Sequence, residues 1–268
     1  FGFVLQKPSL RTRVSFEVAM KHLGGDAVTL LPQEIGLGQR ESIADVARVL
    51  SGYVQGIMAR VYDHEHVRTL AEYASVPVIN GLSDDAHPCQ AMADMLTIYE
   101  HYGRLDGLKV AYIGDGNNVA TSLVIAAAQL GVDFTVATPE GYEPEQVVRE
   151  RASQLAERNG HGSVTYMTRP EQAVAGADVV YTDTWVSMGQ EADSQARREA
   201  LRPFQVNTAL MQQAKPNCIV MHCLPAHRGD EITDEVADGP QSAIFQQAEN
   251  RLHAQKAILV RLLANTEL

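Results

Sequence analysis

Apolar residues along this chain switch between two periods. Phe16, Ala19, Met20 and Leu23 fall at i, i+3, i+4 and i+7, which puts them on one helical face, and Ile43, Val46, Ala47 and Leu50 repeat that spacing. Short apolar runs surround them, at residues 1–5 and near 27–31, 56–61 and 76–79, and these read as strands. Strand and helix in alternation predict a parallel sheet with helical crossovers. A helix over 91–102 ends this part, and from Lys109 the pattern restarts. It runs through a buried strand at 110–113, an apolar helix to Leu130, a strand at 134–137 and a helix across 144–158. Strands near 164–167, 178–182 and 218–221 follow. The fold class that results is α/β: two doubly wound parallel-sheet domains, with a hinge near 103–107.

Composition narrows the partners. With 268 residues, 45% of them apolar, the chain is long enough for two domains of about 100 to 150 residues with filled cores. Acidic residues outnumber basic ones, 33 to 22, for a formal net charge of -11. That balance argues against nucleic acid and against an acidic membrane surface, so an anion bound here is small and held by a local pocket. The sequence has no apolar run of roughly 18 residues, no secretory leader pattern, and three cysteines that do not form a disulfide framework. A reducing cytoplasm is the expected setting.

The clearest local chemistry lies in Lys7-Pro8-Ser9-Leu10-Arg11-Thr12-Arg13, between the first strand and the first helix. Hydroxyls, a guanidinium and the N–H groups of a first helical turn suit one phosphate. His87, Pro88 and Gln90 stand at another strand-to-helix junction. Gly114-Asp115-Gly116-Asn117-Asn118 resembles half of a dinucleotide fingerprint, but position 119 is Val and no acidic residue ends the next strand, which weakens a nicotinamide reading. Residues 190–202 are strongly polar and follow a strand end, so they read as a lid loop. Residues 32–42 read as a mobile or interface loop.

His222, Cys223 and His227, and the pair His64 and His66, invite a metal reading. Neither group has the spacing of a zinc motif, and neighbours at a strand end point to opposite sides, so no metal is assigned. Cys223 as a covalent nucleophile has no activating partner identifiable in the sequence. Cys89 and Cys218 read as small buried residues.

Six segments together resemble the ornithine carbamoyltransferases of the aspartate/ornithine carbamoyltransferase superfamily. They are residues 7–13, His87-Pro88-Cys89-Gln90, 114–118, Asp183-Thr184-Trp185-Val186-Ser187-Met188-Gly189, His222-Cys223-Leu224-Pro225 and Glu249-Asn250-Arg251. The resemblance runs from end to end and implies a carbamoyl-phosphate domain at 1–102, completed by 246–268 through a last helix that folds back on it. It implies an ornithine domain at 103–245, the absence of the family's N-terminal helix from this chain, and a homotrimer or a higher assembly of trimers. No cofactor is implied.

The resemblance also distributes the roles. Ser9, Leu10 through its backbone, Arg11 and Thr12 would hold the phosphate. Arg60 and His87 would contact the carbonyl oxygen, Gln90 the carbamoyl nitrogen, and Arg251 would return to the same substrate. Asn118, Asp183, Ser187 and Met188 would hold ornithine, with Cys223 and the Leu224 carbonyl near its δ-nitrogen. Arg60, His87 and Cys223 are the expected catalytic residues; whether Cys223 accepts a proton or only orients the amine stays open. Two departures stand out: Leu10 replaces a threonine common in the family, and Gly36 falls where some members carry a glutamine. The activity implied is carbamoyl transfer to ornithine, giving citrulline. The alternatives are another acceptor, such as putrescine or N-acetylornithine, or a non-catalytic paralogue.

Overall fold

The computed structural model describes residues 1–187 and 193–264. The chain divides into two compact units, Phe1–Ala93 with Glu249–Leu268, and Asp94–Ala248.

The first unit carries a four-stranded, all-parallel sheet in the order β2-β1-β3-β4. Its strands are β1 (Gly2–Leu5), β2 (Val28–Leu30), β3 (Ile57–Arg60) and β4 (Val78–Leu82). β1 and β3 are buried along their whole length, as expected of central strands covered on both faces. On one face Phe3, Phe16, Met20 and Met58 pack with Leu259. On the other, Val4, Val46, Ala47, Ile57 and Leu70 pack together. The helices supplying these side chains are α1 (Leu10–His22), α3 (Ile43–Ser51) and α4 (His64–Tyr73). Within 32–42 lies a short helix, α2 (Pro32–Ile35), closed by Gly36 at φ 55. A side chain at position 36 would be strained there and would press on Arg40.

The second unit carries a five-stranded parallel sheet in the order β7-β6-β5-β8-β9. Its strands are β5 (Lys109–Ile113), β6 (Asp133–Ala137), β7 (Ser163–Met167), β8 (Val179–Thr182) and β9 (Ile219–His222). Its helices include α6 (Asn118–Leu130), α7 (Gln146–Asn159), α8 (Pro170–Val174) and α9 (Ser194–Leu201). Val180, Val220, Phe204, Ile232 and Ile244 fill one part of its core. Among the described residues no helix is long and apolar enough to cross a membrane.

The structure departs from the sequence reading in one place. The polar stretch expected to be a lid loop contains α9, which buries Leu201, while residues 190–192 lie outside the described residues. The two compact units divide inside α5 (Pro88–Tyr102) and inside the last helix, α10 (Ile244–Leu263). The reason for the earlier boundary is visible in hydrogen bonds. Asp94 accepts from Tyr181 Oη at 3.1 Å and from Gln247 Nε2 at 2.7 Å, and Tyr102 donates to the Asp178 carbonyl at 2.6 Å. The later turns of α5 are therefore bonded into the second unit.

Candidate active site

In a doubly wound sheet, ligands bind beyond the carboxyl ends of the strands where the strand order reverses. In the first sheet that point lies between β1 and β3. Ser9 follows β1 and caps α1, its Oγ accepting from Thr12 N–H at 3.0 Å. Leu10, 75% exposed, opens the helix and offers its backbone rather than a packed side chain. Arg60 is the last residue of β3, where the pairing slips by one residue against Gly81. A bulge of this kind re-aims the strand's last side chain, and Gly81 is needed because a Cβ would strike Met58.

These residues form one connected cluster. Buried Thr12 accepts from Arg60 NH1 at 3.4 Å and from Arg251 NH2 at 3.1 Å, and Arg251 NH1 donates to Gln90 Oε1 at 2.7 Å. A hydroxyl and an amide carry no charge, so these contacts fix the guanidiniums without neutralising them. His87 is buried in the same unit. Burial, then the positive charges of Arg251, Arg60 and Arg11, push its imidazole well below the usual histidine value. It is neutral at physiological pH. Lys7, which the assignment of roles passed over, is buried, pairs with Asp84 and lies 4.5 Å from the Tyr62 ring centroid. His64 and His66 brace loops: their Nδ1 atoms meet Ser83 Oγ at 2.8 Å and Gln6 Oε1 at 3.3 Å.

In the second sheet the order reverses between β5 and β8. After β5 the chain turns through Gly114, at φ 137, and Gly116. A Cβ at Gly116 would collide with the backbone of Tyr142 and Pro144, so this glycine serves a close chain crossing, with no pyrophosphate needed to explain it. Asn117 caps α6, its Oδ1 accepting from Val119 and Ala120 N–H at 2.9 and 3.1 Å. Its amide donates to Asp183 Oδ2 at 2.7 Å, and Cys223 Sγ donates to Asp183 Oδ1 at 2.9 Å. The partner of Cys223 that the sequence reading could not identify is thus a carboxylate, which accepts the thiol proton and does not favour a thiolate nucleophile. Tyr112 Oη donates to the Asp115 carbonyl at 2.9 Å and lies 3.3 Å from Asn117 Oδ1. Burial, then the carboxylates of Asp183 and Asp115, raise Tyr112 well above the usual phenol value.

His222 has a supporting part. Its Nδ1 accepts the Leu224 N–H at 2.8 Å, so the proton sits on Nε2, which donates to buried Glu231 at 3.1 Å. Leu224 is held with φ 58, uncommon for a branched residue. His222 and Cys223, expected to point to opposite sides, instead place donor atoms within 4.8 Å of each other and of Asp183, the spacing of a metal site. The ring nitrogens of His222 are nevertheless both engaged, and the Cys223 proton faces Asp183, so this grouping is a hydrogen-bonded one. Asn118 is the first residue of α6 and Ser187 is half-buried beyond β8. Met188 lies outside the described residues.

Each unit therefore presents a polar cluster at its switch point, the first cationic and the second acidic. Known families match the same division. The carbamoyl-phosphate-binding domain of aspartate/ornithine carbamoyltransferase matches residues 1–100, and the family's Asp/Orn-binding domain matches residues 106–262. The chain belongs to the aspartate/ornithine carbamoyltransferase family. It is 60% identical over 266 residues to an ornithine carbamoyltransferase of Pyrococcus abyssi, covering 99% of this chain and 84% of that one. It is 60% identical over 262 residues to the anabolic ornithine carbamoyltransferase of Pyrococcus furiosus, covering 98% of this chain and 83% of that protein. The solved ornithine carbamoyltransferase structure from Pyrococcus furiosus superposes with a TM-score of 0.96 at 59% identity, covering 99% of this chain and 85% of the other.

Proposed function

We propose that this chain transfers the carbamoyl group of carbamoyl phosphate to the δ-amine of L-ornithine, giving L-citrulline and phosphate. The observation that carries the reading is the neutral, buried His87 set among the guanidiniums of Arg11, Arg60 and Arg251. Phosphate needs cations as it leaves, and the carbonyl oxygen needs donors as it gains charge in the tetrahedral intermediate. Ser9, Arg11, Thr12 and the Leu10 backbone N–H take the phosphate. Arg60 and His87 donate to the carbonyl oxygen, Gln90 takes the carbamoyl nitrogen, and Arg251 holds both Gln90 and the substrate. His87 suits this role because a neutral imidazole donates one hydrogen bond without adding a fourth positive charge.

The acceptor is held by the second unit. Asp183 takes the α-ammonium, and Asn118 and Ser187 take the α-carboxylate. Met188, outside the described residues, is assigned to ornithine by the family resemblance alone, and Cys223 with the Leu224 carbonyl orients the δ-nitrogen. The δ-ammonium, with a lysine-like pKa of about 10.4, loses one proton to solvent before attack, which desolvation favours, and a second leaves with the departing phosphate. The thiol donates to Asp183, which supports an orienting role for Cys223 over that of a base. The domain limits at 1–102 with 246–268 and at 103–245, a homotrimeric assembly, a place in arginine biosynthesis and a cytoplasmic setting belong to the same reading. The test is a citrulline assay with ornithine, putrescine and N-acetylornithine as competing acceptors. Ornithine is expected to dominate turnover, and preference for either competitor would overturn the acceptor assignment.

A further inference from the structure

The second unit contains a charged residue that none of the substrate contacts use. Arg197, in α9, donates from Nε to the Trp185 carbonyl at 2.9 Å and from NH2 to the Asp115 carboxylate, and its guanidinium carbon lies 5.1 Å from the Tyr142 ring centroid. The pair is largely shielded, with 16% of the Arg197 side chain and 8% of the Asp115 side chain exposed. Its two anchor points are informative. Trp185 lies two residues beyond Asp183, and Asp115 lies two residues before Asn117, whose amide donates to Asp183. One guanidinium thus joins the turn after β5 to the segment after β8, the two pieces of chain that fix Asp183 from either side.

We propose that Arg197 is a positioning residue which, through Asp115 and the Trp185 carbonyl, holds Asn117 and Asp183 in place for the α-amino acid end of the acceptor. This rests on the reading above in which Asp183 takes the α-ammonium. A positioning role through an ion pair carries a pH signature that packing alone does not. The charged and titratable groups facing Asp115 are Arg197 from α9, Asp183 from beyond β8, and the Tyr112 hydroxyl from β5. Burial pushes the Asp115 carboxyl up to about 6, with Arg197 lowering it and Asp183 adding to the rise. Protonation just below neutrality then removes the charge that Arg197 holds.

Norvaline is the suitable probe. It has both α-groups and no δ-amine, so its own charge is constant over the range where Asp115 titrates. Norvaline is titrated calorimetrically into the wild-type chain, Asp115→Asn and Arg197→Met, each saturated with carbamoyl phosphate, from about pH 5 to about pH 7.5. Wild-type affinity should fall roughly tenfold toward the acid end, a usual size for coupling between groups, with its midpoint near the Asp115 value. Asp115→Asn should bind with the acid-end affinity at every pH, Arg197→Met should be equally weak and flat, and all three should keep wild-type affinity for carbamoyl phosphate. An Asp115→Asn variant with wild-type affinity and midpoint overturns the proposal. So does a parallel loss of carbamoyl-phosphate affinity in the variants, which marks a general structural role. Failure of the wild type to bind norvaline at any pH overturns the acceptor reading itself, and this proposal with it.

Discussion

The thiol of Cys223 donates to Asp183 Oδ1 at 2.9 Å, while Asn117 donates to the other oxygen of the same carboxylate at 2.7 Å. Asp183 is buried, and a buried carboxylate is tolerated only when its oxygens are satisfied. Cys223→Ser keeps a donor at this point, whereas Cys223→Ala removes it. The alanine variant should lose about 1 to 3 kcal/mol of transition-state stabilisation, the cost of leaving a buried acceptor unmet, and the serine variant less. Steady-state kcat/KM for ornithine in the two variants checks this; equal losses would contradict it.

Asp183 should decide acceptor choice. Asp183→Asn removes a charge-assisted hydrogen bond worth about 1.5 to 3 kcal/mol, so kcat/KM for ornithine should fall roughly ten- to a hundredfold. Putrescine has neither α-group and should gain relative to ornithine. An unchanged ratio of the two turnovers would show that Asp183 does not read the α-ammonium.

Arg11 belongs to the cationic cluster of the first unit. Arg11→Ala should weaken carbamoyl-phosphate binding by about 2 to 4 kcal/mol, the scale for truncating one side of a desolvated charge pair. Far-ultraviolet circular dichroism should be unaltered, since Arg11 fills no core position. Calorimetry that finds wild-type affinity would contradict the placement of the phosphate.

His87 links the same cluster to pH. In the unfolded chain its imidazole takes up a proton near pH 6.5; in the folded chain burial and three guanidiniums hold that step well lower. Below about pH 6.5 the unfolded state therefore binds more protons, and folding stability falls as pH drops from there toward the folded value. This share of the loss is at most about 1.4 kcal/mol per pH unit. His87→Gln should flatten the acid side of the stability curve in urea titrations. An identical slope in wild type and variant would show that His87 is not held neutral.

The strands and the polar segments at their ends were legible because parallel strands read as short apolar runs, whereas the strand order that makes two of those ends switch points was not. The turn proposed for the phosphate was legible for the same reason: Ser9 caps a helix whose apolar face begins at Phe16. The support of the second cluster was not. Asn117 and Asn118 are adjacent and chemically alike, and only the backbone at the start of α6 decides that Asn117 is the cap and the partner of Asp183. The Arg197–Asp115 pair joins a polar stretch that resembles solvent-exposed loop to a turn 82 residues earlier, and no local period marks it. His222 invited a metal reading, and its buried partner Glu231, nine residues on, carries no local signal in the sequence. α4 was missed because its first turn, His64-Glu65-His66, is polar and its apolar positions, Val67 and Leu70, are few.

In the proposed reaction the carbonyl carbon of carbamoyl phosphate moves from the phosphate oxygen to the δ-nitrogen of ornithine. Carbamoyl phosphate labelled with carbon-13 at that carbon, incubated with ornithine and followed by nuclear magnetic resonance, tests it most directly. The label should appear in the ureido carbon of citrulline with stoichiometric release of phosphate, and Arg60→Ala should slow this by roughly a hundredfold or more, the scale for removing one donor to a developing oxyanion. Label that stays in carbamoyl phosphate, or decays only to carbonate at the rate seen without the protein, would contradict it.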